Sequence, residues 1–164
     1  VQPGDTVVII GAGGKSGTLC MYEARKRAGV SGQVIGLGHS KAGCDRMKSL
    51  GWAGHVLQVD ATNAVAVMEA VAEVTGGKMA DLTINCVNVP GTEMSSIMAT
   101  RDLGKIYFFS MATSFTAAAL GAEGVGKDVE MIVGNGYAKD HAAISLELLR
   151  ESAVLRKLFE ELYV

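Results

Sequence analysis

Proline is almost missing from this sequence, with 2 residues in 164. That excludes a collagen-like repeat. Cysteine is scarce as well: Cys20, Cys44 and Cys86 are 3 in number and far apart, with no CxxC spacing and no adjoining histidine. A disulfide scaffold and a structural zinc quartet are therefore excluded, and a reducing, cytoplasmic setting is expected. Neither sign of charge is in large excess, the formal net charge being -2, so the basic surplus of a dedicated nucleic-acid binder is absent. No apolar run qualifies as a membrane span either. The longest uncharged stretch, Ile106 to Ala122, carries Ser110, Thr113, Ser114 and Thr116 in its middle and reads as a strand plus a loop. The chain does not open on a basic n-region and apolar h-region, so no secretory leader is expected.

What is plentiful is apolar residues, at 49%, and glycine, at 21 residues. The length suits one domain, residues 1–164, with enough chain to bury a core. Short β-rich runs alternate with helical stretches. Strands are expected over Thr6–Ile10, Gln33–Leu37, His55–Val59, Asp81–Val87, Lys105–Phe109 and Val129–Val133. Helices are expected over Ser16–Ala28, Lys41–Leu50, Asn63–Val74 with Thr62 as its cap, Glu93–Ala99, and Asp140–Leu162 with a break near Glu151–Ser152. Strand and helix alternating so regularly implies parallel strands joined by right-handed crossovers. The fold class expected is α/β: a doubly wound, mainly parallel six-stranded sheet, the Rossmann fold.

Gly11-Ala12-Gly13-Gly14-Lys15-Ser16-Gly17 lies directly between the first strand and the first helix. A glycine-rich turn there lets the backbone approach a pyrophosphate, which rests on free N–H groups at the positive end of the helix dipole. The run fits G-x-x-G-x-x-G through Gly11, Gly14 and Gly17, since Ser16 stands where a strict G-x-G-x-x-G needs its third glycine. Walker A is rejected, because Lys15-Ser16 follows Gly11 too soon to wrap a β-phosphate. A dinucleotide site is the expectation.

The second strand ends in Gly38-His39-Ser40-Lys41, where such sites usually carry an acidic residue for the ribose diol. With no carboxylate there, a 2′-phosphate meets no repulsion, and Ser40, Lys41, His39 or Arg46 could bind one. NADP(H) is expected ahead of NAD(H). Ligands of open α/β sheets sit outside the carboxyl ends of the strands, which adds Asp60 and Ala61, then the ends at Cys86–Pro90, Ser110–Thr113 and Gly134–Tyr137. Three features that imitate chemistry read as structure. Tyr22 and Lys26 belong to a helix face on the wrong side of the cofactor, Cys86 reads as a small core residue, and His39, His55 and His141 are isolated.

From Pro3-Gly4-Asp5 through the glycine turn to Gly134, the order of elements resembles the cofactor domain of medium-chain dehydrogenases/reductases. Val34-Ile35-Gly36-Leu37 and Met47-Lys48-Ser49-Leu50-Gly51 carry that resemblance at the second strand and the helix behind it. The longer runs Asn85–Pro90, Thr92–Ser96, Tyr107–Thr116 and Met131–Tyr137 are similar to an amine-dehydrogenase branch of that family, active in bacterial lysine fermentation. The resemblance implies oxidative deamination of a small amino acid substrate to an oxo acid and ammonia, with reduction of NAD(P). It implies that Gly11, Gly13, Gly14, Lys15, Ser16 and Gly17 serve the pyrophosphate, and Gly38, His39, Ser40 and Lys41 the adenosine ribose. Cys86, Val87, Asn88, Ser110, Met111 and Ala112 would then line the nicotinamide half. It also implies a homo-oligomer joined through the sheet edge, with no membrane or nucleic-acid partner. The family places a GroES-like substrate domain before the Pro-Gly-Asp turn, where this chain begins, so catalytic residues are expected outside it and none is assigned. A free-standing, dinucleotide-sensing module without catalysis is the alternative reading.

Overall fold

The computed structural model describes residues 1–134 and 138–164, so the part of the last strand-end motif at Asn135, Gly136 and Tyr137 lies outside the described residues. The elements follow in the order β1 (Thr6–Ile10), α1 (Lys15–Ala28), β2 (Gln33–Gly38), α2 (Lys41–Leu50), β3 (His55–Gln58), α3 (Ala64–Thr75) and β4 (Ala80–Asn85). The second half adds α4 (Glu93–Ala99), β5 (Thr100–Phe108), α5 (Phe115–Gly124), β6 (Glu130–Val133), α6 (His141–Glu151) and α7 (Ala153–Tyr163). Six strands form one sheet in the order β3-β2-β1-β4-β5-β6, every neighbouring pair parallel. The expected fold class holds, and the sheet is wholly parallel among the described residues. The order reverses between β1 and β4, which opens a crevice at the carboxyl ends of the strands.

The sequence pattern explains the layers. β1 reads Val7-Val8-Ile9-Ile10 without a polar interruption because it is buried on both faces. Its alternate side chains part accordingly. Val7 and Ile9 pack with Met21, Ala24 and Ala28 of α1 and with Met47 of α2, whereas Val8 and Ile10 pack with Val67 and Val71 of α3. Each such side chain contributes about 1.5–3 kcal/mol when fully buried. A further cluster joins Ile97 of α4 to Ile106 and Phe108 of β5 and to Ala118 and Ala122 of α5.

Three expectations need correction. The stretch after β5 is not a loop: Ser114 caps α5, its hydroxyl accepting the Ala117 N–H, and a run of alanines then carries the helix. The cap of α3 is Asn63 rather than Thr62, because the Asn63 carboxamide reaches the Ala66 N–H at 3.0 Å. Cys86 is not core alone: half-buried, it packs against the core cluster of β1 and α1 and also lines a cleft. The Tyr22 and Lys26 pair is structural as expected. Tyr22 packs edge-on against Trp52 and Lys26 bonds Glu151 at 2.8 Å.

One part-buried contact ties the segment after α5 to α4. The Lys127 ammonium donates to the carbonyls of Ile97 (3.0 Å), Met98 (3.3 Å) and Thr100, which closes the carboxyl end of α4. Burial holds its pKa below the ordinary lysine value. Lys127→Met strips these acceptors of their donor, and we expect a loss of about 2 kcal/mol. Urea unfolding should show a lower midpoint at unchanged slope, and an unchanged midpoint would show that the ammonium is not needed there.

Candidate functional site

The glycine turn owes its shape to two positions. Gly11 has φ +80°, and a side chain on it would strike Val87 Cγ2 at 2.8 Å. A Cβ on Gly17 would meet Ala12 Cα at 2.7 Å, so only glycine lets α1 start this close to the turn. The turn is then locked from within: the amides of Gly11 and Ala12 both donate to the Leu37 carbonyl at 3.0 Å, and the Thr18 hydroxyl donates to the Ala12 carbonyl at 3.2 Å. Gly14 is the N-cap of α1 and no side chain caps it. The first intrahelical bond is Thr18 N–H to the Gly14 carbonyl, which leaves the amides of Lys15, Ser16 and Gly17 without partners inside the helix.

On either side of this turn the strand ends frame two clefts. The first, of about 350 Å³, is lined by Ile10, Gly11, Leu37, Gly38, His39, Val59, Asp60, Ala61, Thr62, Val87, Val89 and Thr92. The second, of about 580 Å³, is lined by Ser16, Cys86, Asn88, Phe109, Ser110, Met111 and Gly134. Both volumes fall in the range of small-molecule sites. Asp60 contributes the acidic side chain of the first cleft, and it is turned to Thr62, whose amide (2.9 Å) and hydroxyl (2.8 Å) hold its carboxyl below the usual range.

A buried amide fixes the loop between the clefts. Asn85 donates to the hydroxyls of Thr92 and Ser96, both at 2.9 Å, while its carbonyl oxygen accepts the Val87 N–H at 3.0 Å. The loop therefore leaves β4 in one conformation and presents Val87 to the first cleft and Asn88 to the second. The Ser110 hydroxyl donates to Asn88 Oδ1 at 3.2 Å and accepts the Ala112 N–H at 3.0 Å, which ties the β5 end to the same loop.

Of the residues singled out in the sequence, the structure thus brings Gly11, Gly38, His39, Asp60, Ala61 and Val87 to one cleft and Ser16, Cys86, Asn88, Ser110 and Met111 to the other. Gly13, Gly14 and Gly17 shape the turn between them. Three polar candidates are engaged elsewhere. Ser40 caps α2 through the Gly43 N–H, Lys41 pairs with Asp45 at 2.5 Å, and the Lys15 ammonium lies over the Tyr163 ring, 4.4 Å from its centroid. Arg46 donates to the Gly13 carbonyl at 2.8 Å and so ties α2 to the glycine turn. Sequence reasoning missed the apolar lining at Leu37, Val59 and Phe109, because an apolar residue at a strand end reads as core.

Residues 17–125 match the family model described as zinc-binding dehydrogenase. The chain belongs to the zinc-binding dehydrogenase family. Over 164 residues it is 52% identical to L-erythro-3,5-diaminohexanoate dehydrogenase of Acetoanaerobium sticklandii and 53% identical to that of Fusobacterium nucleatum subsp. nucleatum. All of this chain and 48% of each relative are covered, so the chain spans about half the length of the curated relatives it matches. Solved structures share the fold. The alcohol dehydrogenase of Thermus sp. ATN1 superposes with TM-score 0.69 at 22% identity, over 94% of this chain and 42% of its own. A mycobacterial protein complexed with NADPH gives TM-score 0.66 at 18% identity, over 100% of this chain and 49% of that one. The family's name carries zinc, but among the described residues no three His, Cys, Asp or Glu side chains come together as ligands.

Proposed function

We propose that this chain is the cofactor-binding part of an NAD(P)-dependent amine dehydrogenase that acts on L-erythro-3,5-diaminohexanoate. The observation that carries the dinucleotide is the uncapped start of α1 at a turn whose close packing only glycine at positions 11 and 17 allows. The residues present fit the group. Gly11 to Gly17 would hold the pyrophosphate, the cleft of Gly38, His39, Asp60 and Ala61 the adenosine, and Cys86, Asn88, Ser110 and Met111 the nicotinamide half. The absence of a carboxylate at Gly38 favours acceptance of NADP(H). When bound, the dinucleotide supplies hydride transfer.

The overall conversion proposed takes the diamino acid, water and oxidised cofactor to 5-amino-3-oxohexanoate, ammonia and reduced cofactor, as a step of lysine fermentation. The substrate rests on the relatives' names at about half identity across the whole chain. The part of this chain is to hold and orient the cofactor. Titration calorimetry with NAD(H) and NADP(H), followed by cofactor reduction with the diamino acid on the full-length protein, tests both halves. Binding without any turnover would leave a dinucleotide module and remove the enzyme reading.

The same reading includes a cytoplasmic, self-associating protein. Among the described residues β6 pairs with β5 alone, and Ile132 and Val133 are exposed along the outer edge of the sheet. We expect sedimentation to show a dimer or larger species, and Ile132→Lys to shift it towards monomer. A wild-type monomer at high concentration would count against the edge.

A further inference from the structure

Two of the three cysteines face each other: Cys86 Sγ lies 4.0 Å from Cys20 Sγ. Cys44 is buried in α2 and takes no part. Cys20 sits midway along α1, while Cys86 follows the last residue of β4 and donates its N–H to the Ile10 carbonyl at 2.9 Å. Each thiol is half-buried and reaches a different groove. Cys86 lines the second cleft beside Ser16 and Asn88, and Cys20 lines a groove between α1 and α6 with Glu23 and Ser145. We propose that Cys20 and Cys86 form a dithiol site that closes to an intramolecular disulfide with small oxidised disulfides, Cys20 being the attacking thiol.

The Cys86 S–H points to the Cys20 sulfur, which favours a thiolate at Cys20; that bond and burial push the Cys86 thiol up. In the first step the Cys20 thiolate attacks one sulfur of the small disulfide and expels a thiolate, leaving a mixed disulfide on Cys20. Cys86 then loses its proton and attacks Cys20 Sγ, expelling the second thiolate. The protein loses two hydrogens, and the oxidant leaves as two thiols. A disulfide needs its sulfurs about 2.05 Å apart, so the two must close from the 4.0 Å of this contact.

The test is purified full-length protein treated with oxidised glutathione, then alkylated, digested and mapped by mass spectrometry. We expect a peptide joining Cys20 to Cys86, present also in Cys44→Ser. Cys86→Ser should instead retain glutathione on Cys20. Cysteines 20 and 86 both left alkylatable, or a crosslink through Cys44, would overturn the dithiol site even if calorimetry shows cofactor binding.

Discussion

Gly14→Val is expected to weaken nicotinamide dinucleotide binding by about tenfold or more while the fold survives. The reason lies in where a side chain at this position goes. Gly14 has φ -83° and ψ 175°, an extended backbone that any residue adopts. A Cβ there meets just the Gly11 carbonyl oxygen at 3.5 Å, an ordinary contact, so nothing in the protein must move. The branched side chain would then stand at the start of α1, over the amides that the pyrophosphate needs. Gly17 behaves differently, because a Cβ on it meets backbone at 2.7 Å. Gly17→Val should therefore lower the melting temperature as well, and loss of binding in that variant would say nothing about the cofactor. Calorimetric titration of Gly14→Val with both cofactors, beside its melting curve, makes the distinction. Native affinity in a folded Gly14→Val protein would remove the glycine turn from the site.

The architecture was legible because each element's local chemistry agrees with its place. The unbroken apolar run at Val7–Ile10 announces a central strand, and the period of Val67 and Val71 announces the face that α3 buries. The helix α5 was missed because Ser110, Thr113, Ser114 and Thr116 look like a loop, while the capping role of Ser114 emerges only with Ala117 above it. The turn of the site was legible for a different reason: its glycines answer to backbone sterics, which leave a mark in sequence. The lining from Leu37, Val59 and Phe109 leaves none, since the same residues would serve a core. Lys41 shows the remaining limit. Its presence at the end of β2 is visible in the sequence, but its pairing with Asp45, four residues on along the exposed face of α2, depends on where the helix turns it.

That pairing bears on the second large effect, the choice between cofactors. NADP(H) should bind at least as tightly as NAD(H), and Gly38→Asp should move the preference towards NAD(H) by about ten- to hundredfold. The end of β2 borders the first cleft, with Gly38 and His39 on its wall. No carboxylate of β2 stands there to repel a phosphate, and Asp60 across the cleft is committed to Thr62. Lys41 is held by Asp45, yet both side chains are largely exposed, and an exposed pair of this kind is worth about 1 kcal/mol or less. A 2′-phosphate that reaches the ammonium competes with Asp45 on favourable terms, since charge-assisted contacts to phosphate are among the stronger hydrogen bonds. Adding a side chain at position 38 brings its Cβ against Met47 Cε at 2.8 Å and Cys44 Sγ at 3.0 Å. The first of these is the free end of a flexible chain, which can yield, so the variant should fold at a cost of about 1–3 kcal/mol. Its carboxylate would then accept the ribose hydroxyls of NAD(H) and repel the extra phosphate of NADP(H). The measurement is the ratio of the two dissociation constants in wild type, Gly38→Asp and Lys41→Met, with melting curves to verify folding. Lys41→Met should weaken NADP(H) and leave NAD(H) unchanged. A wild type selective for NAD(H), or a Gly38→Asp protein with the wild-type ratio, would mean that the end of β2 does not read the ribose.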